Sequence, residues 1–176
     1  KKETKSEAAT PSQPSSTTTS TPSAETSNAA EQSATAGQKN ALKSAQQYLR
    51  SSAFSHDGLI KQLEFEQYST EDATWAADNC GADWNEQAVA SAKIYLSSSA
   101  FSYSGLVEQL EFEEFTAAQA TYGVDNCGAD WNEQAAKCAK TYLSVSSFSR
   151  QGLIDQLVFE GFTSAQAEYG VTQNGL

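Results

Sequence analysis

The feature that most constrains this chain is a period. Residues 125–135, Asp-Asn-Cys-Gly-Ala-Asp-Trp-Asn-Glu-Gln-Ala, repeat residues 78–88 letter for letter, an offset of 47. The same offset carries Tyr48 to Tyr95 and Tyr142, Phe54 to Phe101 and Phe148, Gly58 to Gly105 and Gly152, and Leu63 to Leu110 and Leu157. Three copies of one unit follow. A fixed period of this size marks a repeat array, in which a unit too small to bury its own apolar face leans on its neighbours.

The second copy is complete and reads as three helices. Asp83-Trp84-Asn85-Glu86 spells a capping box, with Asp83 accepting from the N3 amide and Glu86 reaching back. Trp84, Ala88, Ala92, Tyr95 and Leu96 then share one helical face until Ser97-Ser98-Ser99 ends the run, and the alanines invite a close helix neighbour. Ser102 caps a shorter helix carrying Leu106, Val107 and Leu110. Thr116 and Gln119 form another capping box, with Phe115 and Ala120 placed as a hydrophobic staple. The third copy repeats this as Phe162, Thr163, Gln166 and Ala167, and the first keeps it more loosely as Tyr68, Ser69, Asp72 and Ala73. A third helix runs through Tyr122 and Val124 to a left-handed Gly128, after which Asp130 caps the next unit.

The duplicated motif is therefore punctuation, a helix C-cap joined to an N-cap. A calcium loop built from Asp125, Asn126, Asp130 and Glu133 is the sharper alternative, but it lacks the alternating D-x-D-x-D-G order of an EF-hand. In the first copy Ala36 and Gly37 stand where the others have the Asp and Trp, a degenerate terminal unit. The fold class that results is all-α: a tandem array of three helix-turn-helix-like three-helix repeats over residues 39–81, 82–128 and 129–176, after a disordered N-terminal stalk over 1–38.

Residues 1–37 hold no aromatic and no aliphatic residue larger than Ala, so they cannot bury enough apolar surface to offset the entropy of ordering. Such a tether has a mean span on the order of 35 Å. Through Lys39 four lysines balance four glutamates, so the formal charge of −11 falls on the rest, where 18 acidic residues face 7 basic ones. That field repels nucleic acid and anionic membrane surfaces. The outline of a helix-turn-helix does not alter this, because the third helices carry Glu71, Asp72, Asp78, Asp125 and Glu168 and no Lys or Arg.

Catalytic chemistry is not assembled by these residues. The one histidine, His56, matches Tyr103 and Arg150 in the other copies and reads as a surface residue belonging to no repeated site. Cys80 and Cys127 are repeat-equivalent and expected about 10 Å apart, beyond the reach of a disulfide, and Cys127 to Cys138 is awkward too. No bridge is compelled, zinc is not indicated without histidine neighbours, and neither a cofactor nor enzymatic activity is expected. What the array can do is present a surface. Glu64-Phe65-Glu66, Glu111-Phe112-Glu113-Glu114 and Val158-Phe159-Glu160 occupy the same place in each unit, between the second and third helices. With Asp125 these acidic and aromatic residues suit a basic or amphipathic protein segment, charge steering the encounter and aromatics supplying the burial; a solvated acidic face is the plainer reading.

The unit Asp130-Trp131-Asn132-Glu133-Gln134-Ala135, Tyr142-Leu143, Phe148-Ser149, Gly152-Leu153-Ile154-Asp155-Gln156-Leu157, Gly161-Phe162-Thr163, Gln166-Ala167 and Tyr169-Gly170-Val171 resembles the repeat of the host-cell-surface-exposed, Ltp-type lipoproteins of temperate phages of Gram-positive bacteria. The resemblance runs from Lys39 onward, and the Ser-rich spacer fits the family layout of lipid anchor, stalk and repeats. It implies superinfection exclusion: a monomer on the extracellular face of the host cytoplasmic membrane binds a tail component of an incoming phage, with the tape measure protein favoured, and blocks DNA injection. The anchor cysteine is not in this sequence, and the chain reads as a processed or truncated piece whose Lys1 follows directly on it. The alternative is a cell-envelope module binding peptidoglycan or another wall glycan, which salt would affect far less.

Overall fold

The computed structural model describes residues 33–176, so most of the expected stalk lies outside the described residues. From Ala34 the chain forms one compact unit. Among the described residues it contains nine helices and no strand: α1 Ala36–Ser51, α2 His56–Phe65, α3 Thr70–Asn79, α4 Trp84–Ser98, α5 Tyr103–Phe112, α6 Ala117–Asn126, α7 Trp131–Val145, α8 Arg150–Phe159 and α9 Ser164–Gln173.

Every helix starts on a Ser, Thr or Asp whose side chain accepts from the first turn. Thr116–Gln119 and Thr163–Gln166 form the reciprocal boxes expected of them. Asp83 and Asp130 cap alone, each accepting from two backbone amides, because the Asp oxygen serves N2 and N3 together. The first unit is less degenerate than its letters imply. Thr35 and Gln38 make a full capping box, so α1 begins at Ala36, within the stretch assigned above to the spacer.

Each unit gathers a core from its own three helices, and in the first two units the next unit covers one side of it. The centre is a pair of fully buried leucines one turn apart on the second helix: Leu59 and Leu63, Leu106 and Leu110, Leu153 and Leu157. The first and third helices then cross over small residues. A Cβ added to Gly123 would sit 2.8 Å from the backbone of Ala88, and one added to Gly170 would sit 2.7 Å from that of Ala135. The neighbour contributes one lid. Trp84 and Trp131, first residues of α4 and α7, pack on the core of the preceding unit rather than on their own. Gly81 and Gly128, at φ +77° and +76°, turn the chain between the capping Cys80 or Cys127 and these tryptophans.

Candidate functional site

The surface of interest lies at the C-terminal end of α2, α5 and α8, and its geometry starts from the way those helices stop. In each, the residue two past the last helical one is left-handed: Gln67 at φ 71°, Glu114 at 68° and Gly161 at 91°. The chain then closes two bonds onto the helix. Tyr68, Phe115 and Phe162 donate their N–H groups to the carbonyls of Leu63, Leu110 and Leu157, and the left-handed residues donate to Glu64, Glu111 and Val158. This double closure aims Phe115 and Phe162 into the core, where they are 4 and 3 % exposed. The last helical residues face the other way. Phe65, Phe112 and Phe159 are 81, 81 and 85 % exposed.

Beside each exposed phenylalanine a carboxylate is held inward. Tyr48, Tyr95 and Tyr142 donate their hydroxyls to Glu66, Glu113 and Glu160, the Tyr95 bond being 2.5 Å. Gln62, Gln109 and Gln156 donate in turn to those hydroxyls at 3.2, 3.2 and 3.1 Å. Bonding to Glu66 and to Glu160 raises the phenol pKa of Tyr48 and Tyr142, while for Tyr95 burial comes first and the bond to Glu113 second. Phe54, Phe101 and Phe148 meet the same tyrosines edge to face, with centroids 5.6–5.8 Å apart.

The remaining candidates divide. Glu64 accepts from the Thr70 hydroxyl at 2.5 Å, and Glu111 is exposed. Glu114 pairs with Lys61 of the first unit, which lifts the lysine pKa through their hydrogen bond. Asp125 is not brought to this surface. It sits in the last turn of α6 and accepts from Tyr103 at 2.8 Å, at the opposite end of α5 from Phe112.

His56 also departs from expectation. Its position is a repeated site, since residues 56, 103 and 150 each tie the start of the second helix to the last turn of the third. His56 reaches Asp78 at 2.8 Å, Tyr103 reaches Asp125, and Arg150 reaches Thr172 at 3.1 Å. Three different side chains reach the same place, which a comparison of letters could not reveal. His56 and Tyr103 also stand edge-on to Trp84 and Trp131, at 5.2 and 5.5 Å. Burial lowers the His56 pKa, but hydrogen bonds with Asp57 and Asp78 outweigh it and leave the pKa raised.

The units are joined by a device the sequence reading missed. Ser55 and Ser102 cap α2 and α5 by accepting from Gly58 and Gly105, and each also donates to a backbone carbonyl of the next unit, Glu113 at 2.5 Å and Glu160 at 2.6 Å. Both serines are buried, at 2 and 3 % exposure. The first junction adds the Lys61–Glu114 pair and a bond from the Phe54 amide to Gln87 at 3.3 Å. At the second junction the counterpart of Gln87 is Gln134, whose buried carbonyl oxygen has no partner, and Glu108 and Gly161 replace the ion pair. The cysteines are free thiols: Cys80 and Cys127 are helix caps, and burial pushes Cys138 up to about 11.

These units, taken one at a time, match a known family. The profile of the family described as "Host cell surface-exposed lipoprotein" matches residues 37–80, 83–127 and 130–173. The chain belongs to this family. Its matched segments coincide with the three cores and begin close to the observed start of α1. Among solved structures the chain is similar to Ltp, a superinfection exclusion protein from the Streptococcus thermophilus temperate phage TP-J34, at 36% identity and a TM-score of 0.50. That likeness covers 52% of this chain and 95% of the other. No curated protein sequence matches. No helix of the described residues is long and apolar enough to cross a membrane.

Proposed function

We propose that this lipoprotein-family chain is a superinfection exclusion protein, a monomer held at the outer face of the host cytoplasmic membrane by a lipid anchor. It binds a tail component of an incoming phage, the tape measure protein being favoured, and thereby blocks DNA injection. The observation that carries the reading is the likeness to a superinfection exclusion protein across 95% of that protein's length. The binding surface is the ridge formed by Glu64, Phe65, Glu66, Glu111, Phe112, Glu113, Glu114, Phe159 and Glu160.

Charge supports a basic partner. Residues 82–128 hold seven carboxylates against one cation, Lys93, so the middle unit is the electrostatic centre of the array. A negative field of this kind raises the rate at which a cationic segment arrives, and an exposed ring beside it supplies the apolar contact that keeps it. The mode of action is binding, with no chemistry asked of the chain.

The test is capture of separated tail proteins of a sensitive phage by the full chain, at low and high salt. Capture of a single tail protein that weakens as the Debye length falls from roughly 10 to 3 Å is expected. Capture of none, with salt-indifferent retention on purified cell wall, would overturn the reading in favour of wall-glycan binding.

A further inference from the structure

Phe65, Phe112 and Phe159 are exposed rings with no part in any of the three cores or in the aromatic pairs of the described residues. Around them the copies drift. The preceding residue is Glu64, Glu111 or Val158, and the second following is Gln67, Glu114 or Gly161. Only the Phe-Glu pair is kept in all three. The glutamate has an internal reason to stay, because a tyrosine hydroxyl holds it. The phenylalanine has none; one exposed ring is ordinary on a protein surface, but here the same exposed ring stands at three equivalent places while its neighbours drift.

Their spacing follows from the junctions. Ser55, at the start of α2, bonds the carbonyl of Glu113, the residue after Phe112; Ser102, at the start of α5, bonds that of Glu160, the residue after Phe159. The C-terminal end of each second helix therefore abuts the N-terminal end of the one before it. Successive phenylalanines are separated by the length of one ten-residue helix, about 15 Å at about 1.5 Å per residue.

We infer that these three rings are equivalent anchors for one continuous partner segment, an amphipathic helix that presents an apolar side chain about every ten to eleven residues, or three turns, with Lys or Arg between. The inference rests on the protein-binding reading above and adds the partner's periodicity and the valency of the contact. Cations between the apolar positions meet Glu64, Glu111 and the pinned Glu66, Glu113 and Glu160. One ring buries too little to retain a partner alone. Three rings on units joined at two junctions by serine hydrogen bonds convert the second and third contacts into intramolecular events.

Two synthetic helical peptides of equal length and charge test this against the full chain, by anisotropy or calorimetry. Both carry three leucines in a Lys/Ala background, one at about eleven-residue spacing and the other at heptad spacing. The first is expected to bind roughly tenfold tighter or more. Phe65→Ser, Phe112→Ser and Phe159→Ser should each weaken it by a similar factor, on the order of tenfold, and the triple variant should bind both peptides equally. Equal binding of the two peptides by the wild type, or one phenylalanine carrying the whole loss, would overturn the inference. If the wild type captures a tail protein and the triple variant captures it as well, the anchors fall and the exclusion reading stands. If the wild type captures no tail protein yet the peptide pattern holds, the exclusion reading falls and the anchors stand.

Discussion

Replacing Ser102 with Ala isolates what holds two units together, because the repeat supplies its own control. Ser102 and Ser149 occupy the same place and do the same local job, accepting from the N–H of Gly105 and Gly152 at 3.1 Å in both cases. Losing that cap costs about 1 kcal/mol in each. Ser102 alone also donates to a carbonyl of the next unit, at 2.6 Å, and is buried, whereas Ser149 is exposed. The extra bond, part-buried, is worth about 0.5–1.5 kcal/mol. Ser102→Ala should therefore destabilise by about 1.5–2.5 kcal/mol and Ser149→Ala by about 1 kcal/mol. Three separate cores can open one at a time, so the assay is unit-resolved amide hydrogen exchange rather than a single unfolding midpoint. Exchange should quicken at the start of α5 in Ser102→Ala and at the start of α8 in Ser149→Ala, and at the end of α8 only in Ser102→Ala. Equal effects of the two substitutions would show that the bond across the junction contributes nothing.

Gly123→Ala and Gly170→Ala push a methyl into the backbones of Ala88 and Ala135 at 2.7–2.8 Å, and each should cost about 1–3 kcal/mol in thermal or urea unfolding. Gln67→Gly should stabilise the first unit by about 0.5–1 kcal/mol, since φ 71° strains any side chain there; the third copy already has Gly161. For His56 the raised pKa means that the folded state favours the imidazolium. The resulting stability is fully present below the ordinary value of 6.5 and disappears as pH rises through the raised folded value. Unfolding followed across that window should show the first unit gaining stability towards acid, with His56→Tyr, which copies Tyr103, removing that His-linked gain.

Much of the fold was legible because capping chemistry is local. Thr116 with Gln119, Thr163 with Gln166 and the left-handed Gly128 depend on residues three or four apart, and all stand as expected. Periodicity located the alanines and leucines of the cores but could not say which core a residue at a helix's first position would join. Trp84 shows why. By spacing it belongs with Ala88 and Ala92, yet a first-turn side chain points back past its own helix and fills the unit before it. The first cap was missed because Thr35 stands one position earlier than the period predicts. The bonds from Ser55 and Ser102 were hidden for another reason: they end on backbone carbonyls, which every residue has, so no letter marks the acceptor.

The candidate surface follows from the same division between helix faces and helix ends. Faces are consumed in these units, since leucines, alanines and an aromatic, half-buried as Tyr68 in the first unit and buried as Phe115 and Phe162 in the others, pack between the three helices of each. What remains to meet a partner is where helices stop. At the end of the second helix the chain is fixed three times over: by the bonds that close the left-handed turn, by the tyrosine that draws in the glutamate, and, at Glu113 and Glu160, by the serine of the preceding unit. A ring carried on such a turn has little backbone freedom left to lose on binding, so more of the free energy of covering it remains as affinity. That is a physical reason for a repeat array to recognise through its turns, and for the same Phe-Glu pair to persist at all three.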